Sequence, residues 1–372
     1  MAAAAALLLL PPLALVGCGS GGGGGGSEHG RWRTGPGSGP ASGSPSPAGP
    51  PEMPPEITLA FAGDVHFPES DGGVPNRTGA LLADPQTAFG PVAEVLAAAD
   101  LAMLNLETAV TTGGTPEPKA FHFRAPPAAY QAVRAAGVDV VSLANNHALD
   151  YGRDGLADTL AHARDADVPV VGAGVAAAAA YAPWVAEVSG VRIAYLALSQ
   201  VSELWESWRA GEGRSGIAYA MDAERALAAV AAARSVADLV VVFMHWGVEG
   251  SDCPDGRMTD FAAELSAAGA DLVVGSHAHL MLGDGWLGRT FVQYGLGNFL
   301  WWRDDRFSND TGVLWVTLRG PEIESVELRP AVISRETGQP IPATGEERDR
   351  IAGEYATLRA CTGLADAPEP AP

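Results

Sequence analysis

From Ile57 to about residue 335 the chain alternates short apolar runs with alanine-rich stretches of helical length, and five of the runs end on polar side chains of metal-binding type. The endings read Gly63-Asp64-Val65-His66, Asn105-Leu106-Glu107, Asn145-Asn146-His147, His245-Trp246-Gly247 and Gly275-Ser276-His277-Ala278-His279. Strands are expected at 57–62, 101–104, 138–143, 168–171, 239–244, 272–274 and 290–294, with a hairpin around Ser189-Gly190. Helices are expected at 89–98, 127–136, 155–165, 223–235 and 258–268. Such alternation predicts an α/β domain, and late strand pairs at 313–318 and 323–328 make the sheets mixed. In open α/β sheets ligands gather at the carboxyl ends of strands, so these endings are expected to converge in space.

Composition narrows the partners. Of 372 residues 47% are hydrophobic, enough for a buried core, and the formal net charge is −21. That charge argues against a nucleic-acid partner, whose phosphates demand a basic surface. The apolar run Ala2–Val16 is too short to span a bilayer comfortably and ends just before Cys18. Residues 1–18 therefore resemble a bacterial lipoprotein signal, with Cys18 as the lipidated residue, although no Lys or Arg follows Met1 directly. The expectation is an extracytoplasmic protein anchored by lipid to the cell membrane, with ordinary secretion as the alternative. Residues 19–55 are rich in Gly, Ser and Pro and read as a disordered tether. The folded domain is expected over 56–335, followed by a C-terminal tail over 336–372 with one short helix at 346–360 and a disordered end at Asp366–Pro372. Cys253 and Cys361 are a disulfide pair or two separate thiols; spacing does not decide between them.

The chemistry of the endings is that of a cation site. Asp64 and His66 lie two apart on a strand and share a face, so both can grip one cation. Glu107 has two carboxylate oxygens and can bridge two. Asn146 offers a neutral carbonyl ligand, which keeps negative charge low where an anion must bind. His147 beside it can give a proton to a leaving oxygen. His277 and His279 can send one imidazole to each of two cations, or both to one. Five of the eight histidines fall in these segments, and a lone histidine on an apolar strand is more often a satisfied core residue than three at two strand ends.

Together the segments resemble the metallophosphatase (calcineurin-like phosphoesterase) superfamily, and more narrowly the CapA family of bacterial capsule, or poly-γ-glutamate, synthesis proteins. The narrower likeness rests on Gly63-Asp64-Val65, Asn105-Leu106-Glu107, Asn145-Asn146-His147-Ala148-Leu149-Asp150-Tyr151-Gly152, His245-Trp246-Gly247-Val248-Glu249 and Tyr294-Gly295-Leu296-Gly297-Asn298-Phe299. The resemblance implies a sandwich of mixed β-sheets flanked by helices. It implies two divalent ions, Mn, Fe or Zn, one held by Asp64, His66 and His279 and the other by Asn146, His245 and His277. Glu107 would bridge them and His147 would act as acid or transition-state stabiliser. Glu249, Asp150 and Asn145 would support these ligands by orienting imidazoles or shaping the local backbone. The implied function is phosphoester hydrolysis at the cell surface, within a membrane complex that builds an envelope polymer, on an anionic polymer or phosphoester substrate. Two alternatives stay open: a non-catalytic, metal-stabilised scaffold for polymer export, and hydrolysis or transfer of amide bonds in a glutamyl polymer. Trp205, Trp208, Trp301 and Trp302 are expected to serve packing before substrate binding.

Overall fold

Along the first strand, β1 (Glu56–Val65), Ile57, Leu59 and Phe61 face one apolar core while Ala60 and Ala62 face another. This alternation is the period of two that any strand imposes, and with both faces buried the strand reads as one continuous apolar run. The computed structural model describes residues 53–68, 70–71, 74–303 and 308–370. The expected signal segment, Cys18 and nearly all of the tether lie outside the described residues.

Three strands lie parallel beside β1 in succession: β2 (Leu101–Leu106), β3 (Val140–Ser142) and β4 (Val170–Val171). The chain then builds a second sheet from β5 (Trp184–Val188), β6 (Val191–Ser199), β7 (Leu239–His245), β8 (Leu272–Ser276), β9 (Asp284–Leu287) and β10 (Thr290–Gln293), in the order β5-β6-β7-β8-β10-β9. It returns to the first sheet with β11 (Asn298–Leu300), parallel to the end of β1. On that sheet's far side run antiparallel β12 (Asp310–Arg319), β13 (Glu322–Ile333) and β14 (Pro340–Pro342).

The two sheets pack face to face. Their shared core joins Ile57, Leu59 and Phe61 of β1 to Ile193 and Tyr195 of β6 and to Val241 and Phe243 of β7. Helices cover the outer faces: α1 (Ala128–Ala135) and α2 (Gly152–Asp165) on the first sheet, α3 (Ala223–Arg234) and α4 (Gly256–Ala268) on the second. This is the expected sandwich of mixed sheets flanked by helices. The β5–β6 hairpin turns through Ser189 and Gly190, both at positive φ (51° and 82°), as a two-residue hairpin loop requires.

The chain beyond residue 335 is more closely integrated than a tail. β14 extends the first sheet, and α5 (Gly345–Leu358) buries Ile351 and Tyr355. The Tyr355 hydroxyl donates to Asp284 (2.9 Å), and Arg359 pairs with the same carboxylate (2.6 Å). The segment Asp366–Pro372, expected to be disordered, is instead held as far as Glu369, whose N–H donates to Gly288 O at 2.9 Å, just after Ala365 pairs with Trp286. Cys253 and Cys361 form a disulfide with their Cα atoms 5.8 Å apart. Trp208 and Trp301 are buried, in keeping with a packing role. Among the described residues no helix is long and apolar enough to cross a membrane.

Candidate metal centre

Strand ends from both sheets deliver the site. In β1 the pairing register shifts at Gly63, and the Asp64 N–H donates to Gly297 O at 2.9 Å. A Cβ on Gly63 would stand 2.0 Å from that same oxygen, so only glycine lets the two backbones approach. Glu107 follows β2, its N–H bonded to Val65 O (2.9 Å). Asn145, Asn146 and His147 follow β3, and His245 is the last residue of β7. After β8, His277 and His279 both adopt positive φ, 96° and 58°. Non-glycine residues held there are strained, and such strain persists where surrounding structure fixes a functional geometry.

Two groups of potential ligands result, and Glu107 belongs to both. Ligand atoms of Glu107, His245 and His277 lie within 4.8 Å of one another, as do those of Asp64, Glu107 and His279; all five residues are buried. Asn146 Oδ1 sits 2.8 Å from His245 Nε2, adding a carboxamide oxygen to the first group. His147 Nε2 faces Glu107 Oε1 at 3.9 Å. His66 falls in neither group. Its ring stacks on Trp301 (centroids 4.1 Å apart) and meets Phe123 edge-on (3.9 Å). The structure thus gathers six of the seven expected ligands in two groups joined at Glu107 and sets His66 against an aromatic wall.

Further residues hold these side chains in place. Asp150 Oδ2 lies 2.6 Å from His147 Nδ1, which leaves Nε2 directed into the site. Asn145 accepts from the His147 N–H (3.0 Å) and donates to Asn105 Oδ1 (3.0 Å) and Leu106 O (2.9 Å). Glu249, expected to orient an imidazole or cap a helix, is exposed on the turn after β7, and its charge acts on Glu107. Four further contributors were given no such role from the sequence. Asn105 donates to Asp64 Oδ1 (2.8 Å) and lies 3.2 Å from His245 Nδ1. Ser276 Oγ lies 3.0 Å from that same nitrogen, and Asn298 Oδ1 lies 2.8 Å from His279 Nδ1. Lys119 pairs with Asp150 at 3.0 Å. Asn105 was findable, because it sits on the strand that leads to Glu107, two residues before it; Lys119 lies in a patternless loop.

The electrostatics favour a bound cation. Both oxygens of Glu107, both ring nitrogens of His66 and Nδ1 of His277 are buried without a hydrogen-bond partner. Burial pushes Glu107 well above the usual carboxylate range, and neighbouring Asp64 and Glu249 push it further. Burial also raises Asp64, against the opposing pull of His279. It raises Asp150 to about 7, with Lys119 acting the other way. The same desolvation drives His66, His147, His245 and His277 well below the ordinary imidazole value, which favours the neutral form of each ring. Buried polar groups without partners are costly, and neutral imidazoles, a carboxamide oxygen and carboxylates are a donor set suited to first-row divalent ions. The residues therefore fit metal.

The chain resembles several known proteins. The chain is 28% identical over 301 residues to the PGA biosynthesis protein CapA of Bacillus subtilis, covering 80% of this chain and 77% of that protein. It is 29% identical over 238 residues to the capsule biosynthesis protein CapA of Bacillus anthracis, covering 63% of this chain and 57% of that one. Among solved structures, the NAD nucleotidase of Haemophilus influenzae aligns over 84% of this chain and 64% of its own, at 14% identity and a TM-score of 0.45. The family model described as bacterial capsule synthesis protein PGA_cap matches residues 58–301, and to that family this chain belongs.

Proposed function

We propose that the chain is a dinuclear metal-dependent phosphoester hydrolase that serves synthesis of a capsule polymer of the poly-γ-glutamate type. The observation that carries this reading is Glu107: one buried carboxylate, both oxygens without a partner, common to two ligand groups. Asp64, Glu107 and His279 would hold one ion, and Glu107, Asn146, His245 and His277 the other, while His66 stands against Phe123 and Trp301. Mn, Fe or Zn would each suit these donors. When bound, such ions lower the pKa of coordinated water and neutralise charge on a phosphoryl group.

The chain's own residues supply the rest. His147 Nε2 faces the groups from the side of Glu107 and can hold or move a proton there. Its other nitrogen is tied to Asp150, which fixes the ring and stabilises the imidazolium formed when Nε2 is protonated. Phe123, stacked on His147 at 3.7 Å between centroids, and Trp301 close one flank against water. Turnover of an aryl phosphate ester by the purified protein with added Mn²⁺ tests the proposal. Tight metal binding without turnover under any divalent ion would reject the enzyme and leave a metal-stabilised scaffold for polymer export.

The site is placed outside the cell membrane in this reading, with Cys18 as a lipidated anchor and a synthesis complex as partner. The Cys253–Cys361 disulfide supports an oxidising compartment. Labelled palmitate should enter the wild-type protein and not the Cys18→Ala variant; incorporation that persists in the variant rejects the anchor.

A further inference from the structure

Among the described residues Lys119 is the one lysine or arginine buried at this site, and nothing in the sequence pattern drew attention to it. Its side chain is 2% exposed. Its ammonium group pairs with Asp150 Oδ1 at 3.0 Å and with Glu203 Oε2 at 3.1 Å, and it donates to the backbone carbonyl of Asn146. It also lies 5.1 Å from the centre of the Trp208 ring. The loop that carries it is itself docked on the same residues: Glu117 N–H donates to Asp150 O (2.9 Å), and Phe123 N–H donates to Asp150 Oδ2 (2.6 Å).

These contacts converge on two residues of the site. The Asn146 carbonyl is the backbone of a candidate metal ligand. Asp150 is the carboxylate that faces His147 Nδ1 at 2.6 Å. A burial this deep is costly for an ammonium group unless charge and hydrogen bonds compensate it. Besides Glu203, the compensation comes from the peptide of one site residue and the carboxylate that orients another.

We propose that Lys119 is a positioning residue: by clamping Asp150 Oδ1 and the Asn146 carbonyl it fixes the Asp150–His147 pair, so that His147 stays in the Nδ1-protonated form with Nε2 turned toward the reacting phosphoryl group. Lys119 itself touches no reacting atom. Glu203, the outer partner, is 42% exposed and balances charge without fixing the pair. The catalytic part of this inference rests on the hydrolase reading above; the orientation of His147 does not.

The test compares the full-length wild type with Lys119→Met and Glu203→Gln. Methionine keeps the stem and removes the charge and the donors. Histidine-selective ¹⁵N labelling and long-range ¹H–¹⁵N correlation spectra, with the His147 signals assigned by their loss in His147→Gln, report the ring's protonated nitrogen without any need for activity. In the wild type Nδ1 should carry the proton and Nε2 should not. In Lys119→Met the two nitrogen shifts should move toward each other as the tautomers mix, while Glu203→Gln should match the wild type. With an aryl phosphate and Mn²⁺, kcat should fall about 10–100-fold in Lys119→Met with KM and bound metal unchanged. Unchanged His147 shifts in a folded Lys119→Met protein would overturn the proposal. So would a rise in KM at constant kcat, which would make Lys119 a substrate contact, or a loss of metal matching the loss of activity. A wild type without turnover refutes the hydrolase reading alone, and the spectra still decide the orientation.

Discussion

Cys253 and Cys361 stand 108 residues apart in sequence and are covalently joined, tying the end of α5 to the loop that follows His245. Closing so long a loop restricts the unfolded chain and stabilises the folded one by about 2–4 kcal/mol for a typical disulfide. The double variant Cys253→Ser/Cys361→Ser should therefore unfold at lower urea concentration with its metal content intact. Because α5 is also held by the buried Tyr355–Asp284 hydrogen bond and by Arg359, its packing should survive. An unchanged midpoint, or loss of metal together with the bond, contradicts this account.

His277 and His147 should part company under mutation. Replacing His277 by alanine removes an imidazole from the group it forms with Glu107 and His245, so metal content and turnover should fall together. Replacing His147 by alanine removes a ring whose Nε2 lies 3.9 Å from Glu107 Oε1 and belongs to neither group. That variant should keep its metal and lose about 10²–10⁴-fold in rate. Elemental analysis of both proteins beside their steady-state kinetics makes the comparison, and equal loss of metal refutes the role given to His147.

Asn105 is the hub of the buried polar network. Its amide donates to Asp64 Oδ1 at 2.8 Å and its carbonyl accepts from Asn145 at 3.0 Å. Asn105→Leu keeps the volume and strands both partners. Groups that orient metal ligands typically contribute about 10–100-fold to affinity, and a loss of that size is expected by calorimetric titration with Mn²⁺ or Zn²⁺. Wild-type affinity in the variant would show that Asp64 is fixed by other means.

What the sequence made legible was set by periodicity and by residue type. The parallel strands announce themselves because both their faces are buried: Leu239 to Met244 is an unbroken apolar run, with Val241 and Phe243 in the intersheet core and Val240 and Val242 under the helices. β9, β11 and β14 were missed because Asp284-Gly285, Asn298 and the prolines at 340 and 342 carry no strand signal; their pairing is imposed by neighbours. The ligand types were legible for a similar reason, since a strand end fixes where a side chain points. Glu249 lies on an exposed turn beyond Gly247 (φ 91°), and residue type alone does not separate an exposed carboxylate from one turned into the site. Lys119 and Asn298 act through contacts between segments far apart in sequence, and no spacing encodes those.

Gly275, just before the His277 turn, is required for space and not for backbone freedom. Its φ is ordinary, yet a Cβ built there would stand 2.1 Å from Tyr294 O and 2.4 Å from Trp246 Nε1. Those two atoms are themselves hydrogen-bonded at 2.8 Å, so neither can yield without breaking a buried contact. Gly275→Ala should therefore destabilise the fold by about 1–3 kcal/mol, the range of an overpacked core, and displace the turn that carries His277 and His279. Gly256, at the start of α4, has no atom near its missing Cβ and an ordinary φ. Gly256→Ala should be neutral or stabilise by about 0.4–1 kcal/mol, because it restricts only the unfolded chain. Urea unfolding of the two variants side by side separates crowding from chain entropy, and equal stability would show that the contact behind Gly275 is not there.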